Sequence, residues 1–259
     1  MVFPPAPERS SLAARALADV ETSSEGYARR FAGPVGDYFL EVQERLVREL
    51  LVEPPGARLL DVGGGHAQLA EPLVRAGYRV TVVGSDESCR ERLDRRLDPA
   101  SFEFRCGDLL ALPFADRSFD VALAFRLLPH VDDWARLVAE LCRVARRAVI
   151  VDYPERRSFN AVQGLFFGMK KAIEKNTRPF RCFARSQLVR EFAQSGFGRP
   201  ASRPEFFLPM AAYRALGSRP LARGLEAACR AVGLTGRLGS PVVLRVERLE
   251  PPRGAGVEP

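Results

Sequence analysis

The chain has 259 residues, of which 46% are hydrophobic and 27% charged, a balance typical of a globular protein with a full apolar core. No stretch approaches the roughly 20 apolar residues of a membrane span, and prolines with Glu8 near the start argue against a secretion signal, so we expect a cytoplasmic protein. The net charge of +7 does not predict nucleic-acid binding, because the arginines alternate with acids along predicted helices.

The five cysteines are odd in number and never stand at C-x-x-C spacing, and two histidines accompany them. This pattern predicts neither a disulfide framework nor a metal site. The fold must therefore be held by its core.

Two segments precede the first predicted strand. Residues 1–23 read as a leader with prolines and a short helical piece of doubtful order. From Glu25 to Val52, apolar residues recur at three- and four-residue steps, which predicts helical structure covering one edge of a sheet.

An apolar run then ends in Asp61, and a triple glycine follows before a helical pattern begins. This order predicts a strand, a tight turn and a helix start. Gly63 and Gly65 allow positive φ, and their amides are not covered by a side chain. The helix that follows begins with unpaired N–H groups. Together these donors predict a nucleotide-like ligand at the turn. A dinucleotide fingerprint would need a third glycine where Gln68 stands, which disfavours an NAD(P)-dependent oxidoreductase.

The turn resembles the first signature of class I S-adenosylmethionine (SAM)-dependent methyltransferases. Asp61 stands two residues before the first glycine, and the small Ala67 ends the D-x-G-x-G-x-G pattern. The resemblance implies SAM as cofactor, with Asp61, Gly63, Gly64 and Gly65 in its site. It also implies an α/β fold, a Rossmann-like doubly wound sheet that is mostly parallel with an antiparallel last strand. Helices would lie on both faces, with added helical cap segments.

The β-branched run from Tyr78 to Val83 predicts the second strand. In the family, an acid at the end of this strand binds the two ribose hydroxyls, but Gly84 stands at that place. The nearest carboxylate is Asp86, to which we assign the role, with Glu87 as the fallback. This is the clearest departure from the family's pattern.

A third strand, Phe102 to Cys106, leads to Asp108, and the stretch L-P-F-A-D-R-S-F-D follows at residues 112–120. This segment resembles the methyltransferase branch that includes the quinone-biosynthesis C-methyltransferases. By that resemblance Asp108 would accept the adenine amino group and the Leu109 amide would meet a ring nitrogen. Phe125 would lie near the cofactor at the end of the fourth strand.

Methyl transfer from an activated sulfonium mainly requires that the chain hold the acceptor and exclude water. Where the acceptor must lose a proton, His130 is the candidate base, because it follows the fourth strand and histidine titrates near neutrality. The alternative is that its ring packs the loop. Asp152 and Tyr153 are further candidates, whereas His66 is better suited to bonding the turn or the cofactor.

The last hundred residues are expected to choose the substrate. The stretch from Phe159 to Lys175 predicts an amphipathic helix that lines the core or a pocket, or alternatively docks on a membrane surface as a peripheral contact. Between the last two strands, residues 206–239 predict added helices, and residues 251–259 read as a disordered tail.

We expect one domain over residues 1–259. It would consist of a leader and helical cover (1–54), a SAM-binding core (55–155) and substrate-facing helices with the last strands (156–259). The predicted function is methyl transfer to a small apolar or aromatic molecule, such as a lipid, a quinone or a secondary metabolite. Two alternatives are a SAM-binding protein without transfer activity, acting as partner or scaffold, and the disfavoured oxidoreductase. The sequence leaves the oligomeric state open.

Overall fold

A computed structural model describes residues 18–159 and 181–250. Within these ranges seven strands form one sheet, in the spatial order third, second, first, fourth, fifth, seventh, sixth. The seventh strand runs antiparallel to both of its neighbours, and the other pairs are parallel. The predicted fold class is therefore confirmed. The strands are β1 (Arg58–Val62), β2 (Arg79–Gly84), β3 (Phe102–Cys106), β4 (Phe119–Ala124), β5 (Ala145–Tyr153), β6 (Phe197–Pro204) and β7 (Val242–Arg248).

The central strands are buried on both faces, which explains why they read as continuous apolar runs. Alternate side chains enter two separate apolar clusters. Leu60 and Ala122 belong to one cluster, while Leu59 and Val121 belong to the other, on the opposite face. Helices must cover both faces to bury these residues.

The helices lie on both faces of the sheet and around its edge. The predicted cover of residues 25–52 is present as two helices joined by a 3-10 turn at Arg29–Phe31. The insertion between β6 and β7 is helical, as predicted. In the described part of the chain the helices are α1 (Ala18–Thr22), α2 (Glu25–Ala28), α3 (Gly33–Leu50), α4 (Ala70–Arg75), α5 (Glu91–Arg96), α6 (Trp134–Val144), α7 (Arg185–Gln194), α8 (Met210–Ala215), α9 (Arg219–Ala231) and α10 (Leu234–Leu238).

Aromatic packing joins the helical insertion to α3. The ring of Phe39 on α3 lies edge-on to Phe206 and Tyr213, with centroid distances of 5.1 and 6.2 Å. Tyr213 also donates a hydrogen bond to the buried carboxylate of Glu226 on α9. The insertion and α3 therefore pack together on one face of the sheet.

The amphipathic helix predicted through Phe166 to Lys175, with its membrane-docking alternative, lies outside the described residues, as do the leader up to residue 17 and the tail from 251. Of the helices that are described, none is both long and apolar enough to cross a bilayer.

Candidate active site

The triple glycine forms the turn that follows β1. Gly63 has a φ of +74°, and its N–H donates to the Val83 carbonyl at 2.8 Å, which ties the turn to β2. A Cβ on Gly64 would lie 2.1 Å from Oδ2 of Asp61, so a side chain at position 64 would collide with that carboxyl group. Only glycine at position 64 therefore lets the turn pass this close to the carboxyl group of Asp61.

The Asp61 carboxyl group is fully buried, and within the described residues neither of its oxygens has a hydrogen-bond partner. Burial raises its pKa to about 7. An unpaired buried carboxyl group is costly for a fold and needs an explanation. Its chemistry fits a ligand that brings a cationic N–H donor to the glycine turn.

His66 ends the 3-10 turn Gly64–His66 and bonds within it. Its Nδ1 accepts a hydrogen bond from the Gln68 amide at 3.2 Å, and its carbonyl accepts one from Nε of Arg92 at 3.0 Å. Burial lowers the pKa of the imidazole to about 3, so the ring is neutral at physiological pH. This geometry supports the expectation that His66 holds the turn.

Asp86, the residue assigned to the ribose hydroxyls, lies exposed on the surface. Its Oδ1 accepts the Ser88 amide at 2.9 Å, which caps the short 3-10 helix Glu87–Arg90, and these hydrogen bonds from Ser88 lower the pKa of the carboxyl group. A Cβ on Gly84 would lie 2.7 Å from Cβ of Cys89, so the family's acid could not stand there without a shift. The role of Asp86 stays a prediction.

The remaining cofactor candidates follow β3 and β4. Asp108 is half-buried, and its Oδ1 accepts the Leu110 amide at 2.9 Å. The buried Leu109 shares an apolar cluster with Val62 and Leu127, whereas Phe125 packs in the cluster on the opposite face of the sheet. Their assigned contacts with adenine and cofactor stay predictions, and Phe125 is separated from Leu109 by the sheet.

A cavity of about 410 Å³ opens at the carboxyl ends of β4 and β5. It brings His130 and Asp152 together, whereas Tyr153 lines a different cavity beside β6 and β7. Arg126 links the cavity to the residues after the glycine turn, because it lines the cavity and its Nε donates a hydrogen bond to the side chain of Gln68. Other residues that line the cavity are Tyr27, Arg30, Phe31, Pro129, Met210 and Arg214.

Arg126, at the end of β4, joins the cavity to the glycine turn. The residue is buried, has a φ of +56°, and its guanidinium carbon lies 4.3 Å from the centroid of the Phe31 ring. Nε donates to the Gln68 side chain at 3.0 Å and Nη2 to that of Gln43 at 2.5 Å, while the backbone amide donates to Oδ1 of Asp152 at 2.5 Å. Sequence reasoning did not identify this network, because it joins residues up to 83 positions apart.

The sequence also gave no signal for Asp19, which lies in the segment read as a leader. Asp19 is fully buried, and its carboxylate accepts hydrogen bonds from the amide and the hydroxyl of Ser85, at 2.8 and 2.5 Å. Ser85 directly follows β2. A carboxylate therefore does lie at the end of the second strand, but it comes from α1.

Comparison with known proteins finds matches to the core of the chain. Residues 60–151 match a family described as a methyltransferase domain. Over 103 residues the chain is 37% identical to a demethylmenaquinone methyltransferase of Renibacterium salmoninarum, an alignment that covers 39% of this chain and 42% of the relative. The chain spans less than half the length of the curated relatives that it matches.

Two solved structures share the fold over most of the chain. A SAM-dependent methyltransferase of Thermotoga maritima has a TM-score of 0.63 at 22% identity, covering 90% of this chain and 100% of its own. Magnesium protoporphyrin IX methyltransferase of Synechocystis, with bound S-adenosylhomocysteine (SAH), has a TM-score of 0.61 at 16% identity, covering 90% and 98%. The predicted resemblance, to methyltransferases that use SAM as cofactor, is confirmed for the core of the chain.

Proposed function

We propose that this chain, whose residues 60–151 carry a methyltransferase domain, transfers the methyl group of SAM to a small apolar or aromatic acceptor. One observation carries the proposal: the buried carboxyl group of Asp61 stands beside the glycine turn and has no hydrogen-bond partner among the described residues. The acceptor would enter the cavity at the carboxyl ends of β4 and β5. Lipids, quinols and phenolic metabolites are the acceptor classes that suit this cavity.

The residues around the turn fit the cofactor. Asp61 would take its ammonium group, Gly63, Gly64 and Gly65 would lie against its amino-acid end, and Asp108 with the Leu109 amide would hold the adenine. The sulfonium of SAM supplies an activated methyl group. Exclusion of water would fall to Phe31 and to Met210 of the helical insertion, which line the cavity.

His130 would accept the proton of an acceptor hydroxyl group. It lies in the 3-10 turn Leu128–His130 directly after β4 and lines the cavity together with Asp152. Oδ1 of Asp152 is occupied by the backbone amide of Arg126, so Asp152 is better placed to hold the loop than to take a proton. His130 is therefore the residue we assign to proton transfer.

Calorimetric titration of the full chain with SAM and with SAH, beside NADH, tests the cofactor. We expect dissociation constants of SAM and SAH in the micromolar range and no heat from NADH, because the dinucleotide fingerprint is broken at Gln68. Binding of NADH alone would contradict the proposal and favour an oxidoreductase.

Binding of SAM without turnover of any quinol, phenol or lipid acceptor would favour the alternative of a SAM-binding protein that acts as partner or scaffold. One feature of the site supports that alternative, since β2 itself ends in Gly84 and not in an acid. A coupled assay that measures SAH release with each acceptor class separates the two functions.

Replacing His130 with glutamine should lower kcat for a phenolic acceptor by about tenfold to a hundredfold, because a positioned base is lost. The Kd for SAH should stay within about twofold, since the histidine lines the cavity proposed for the acceptor. Initial rates at saturating acceptor and SAH titrations of both proteins provide the check. An unchanged kcat would assign His130 to packing of the loop.

A further inference from the structure

The short helix α1 packs directly on the glycine turn. Ala18, Asp19, Thr22 and Ser23 are all buried, and Ala18 belongs to the apolar cluster that contains Leu127. A helix of five residues has no stability of its own, so these contacts must hold it in place.

Asp19 makes the polar contacts that fix α1. Its carboxylate accepts hydrogen bonds from the amide and hydroxyl of Ser85 and from Sγ of Cys89, the last at 3.4 Å. All three donors lie just beyond the end of β2. Hydrogen bonds to a charged group are the stronger kind, and here they are shielded from water.

The same segment fills the space beside both outer glycines of the turn. A Cβ on Gly63 would lie 3.3 Å from Cβ of Asp19, and a Cβ on Gly65 would lie 2.3 Å from Oγ of Ser23. The side of each glycine toward which a Cβ would point is thus already covered by protein atoms. A ligand and α1 cannot both lie against these two glycines.

We propose that α1 is a built-in competitor of the cofactor: residues 18–23 cover the glycine turn in the unliganded chain, anchored by Asp19 on Ser85, and SAM binds after they are released. This inference rests on the proposed function, because it takes SAM as the ligand of the turn. In the unliganded chain the carboxylate of Asp19 thus occupies the end of β2, where Gly84 offers none.

Competition of this kind weakens the apparent affinity for the cofactor. The apparent Kd equals the intrinsic Kd divided by the fraction of molecules in which the turn is uncovered. Weakening the contact of α1 should therefore tighten cofactor binding without any new contact to the cofactor. The opposite holds if α1 closes over a bound cofactor, because the loss of Asp19 would then remove a contact and weaken binding. The sign of the change separates the two arrangements.

The test measures the Kd for SAH in the full chain and in Asp19→Ala, with Glu21→Ala as matched control, since Glu21 lies on the exposed face of the same helix. We expect Asp19→Ala to bind SAH roughly tenfold more tightly and Glu21→Ala to match the wild type. Asp19→Asn, which keeps the size of the side chain, should change the Kd in the same direction, and circular dichroism checks that each variant is folded.

Hydrogen exchange of the wild-type chain gives an independent measure. Addition of SAH should speed exchange of the amides of residues 18–23, because a released helix loses its protection. Slower exchange there, or weaker SAH binding by Asp19→Ala, would overturn the competition.

Failure of the proposed function has a different signature. Absence of SAH binding in the wild type and in Asp19→Ala alike would overturn the cofactor assignment together with the competition. Equal binding by the two proteins would overturn the competition alone. Binding by Asp19→Ala but not by the wild type would support both.

Discussion

Replacing Asp61 with asparagine should remove a pH dependence from both the stability of the chain and its affinity for SAH. Burial raises the pKa of this carboxyl group from 3.8 to about 7 in the folded chain. Within the described residues no hydrogen bond offsets that burial. The asparagine side chain has nearly the same shape but does not titrate, so a comparison of the two proteins isolates the ionisation.

The sign for stability follows from where the proton is held. Below about pH 4 the carboxyl group is protonated in the folded and unfolded chains alike and contributes no slope. Between about pH 4 and 7 the unfolded chain loses the proton while the folded chain keeps it, so the free energy of unfolding falls as the pH rises. The loss is about 1.4 kcal/mol per pH unit and about 4 kcal/mol in total. Asp61→Asn should lack this loss.

The sign for binding is opposite. A ligand ammonium group beside Asp61 favours the ionised carboxylate, so below pH 7 the chain must release a proton to bind SAH. Wild-type affinity should therefore rise with pH up to about 7 and then level off. Asp61→Asn should bind about tenfold to a hundredfold more weakly at pH 8, with a nearly flat profile.

Urea unfolding and SAH titration from pH 5 to pH 8 measure both effects. Asp37→Asn provides the matched control, because Asp37 is exposed on α3, and its replacement should leave both profiles as in the wild type. An Asp61→Asn protein whose unfolding slope parallels that of the wild type would show that the carboxyl group is solvated. Unchanged SAH affinity would remove Asp61 from the cofactor site.

The sequence predicted those parts of the fold that depend on local pattern. Periodicity located the strands, and the glycine turn followed from residues adjacent in the chain, such as Asp61 and Gly63. Asp133 lies directly before α6 and caps it, since its side chain accepts the Arg136 amide. These features are set by neighbours within four residues, so the sequence carries them directly.

The rest of the site depends on contacts between distant residues. Asp19 and Ser85 are 66 positions apart, and nothing in the composition of the leader distinguishes an acid that will be buried from one that will be solvated. Asp86 is the acid nearest in sequence to the missing one, and only the fold shows that it also caps the 3-10 helix Glu87–Arg90. The polar network around Arg126 was hidden for the same reason.

Replacing Arg126 with methionine should lower the free energy of unfolding at pH 8 by about 3–5 kcal/mol, because it removes a charge that is buried and hydrogen-bonded. The side-chain oxygens of Gln43 and Gln68 would each lose a donor. Asp152, whose pKa is raised by burial and lowered by Arg126, would keep its backbone donor but lose the neighbouring cation.

The loss should be smaller at pH 5. Without Arg126 the pKa of Asp152 rises further, because the neighbouring cation is gone. At low pH the protonated carboxyl group carries no buried charge, which makes the variant more stable there. This gain in the free energy of unfolding is lost as the pH rises through the pKa of Asp152. The buried Glu205, whose pKa burial raises to about 8, lies near both groups and should shift in the same direction. Urea unfolding at pH 5 and pH 8 measures the difference.

Arg117→Met is the matched control, because Arg117 also has positive φ, +53°, but its side chain is exposed. Backbone strain is therefore similar in the two variants, and we expect a change below about 0.5 kcal/mol for the control. A loss below about 1 kcal/mol in Arg126→Met at both pH values would show that desolvation of the guanidinium group offsets its hydrogen bonds. Gln43 and Gln68 would then be held by packing. The link between the cavity and the residues after the glycine turn would not depend on the charge of Arg126.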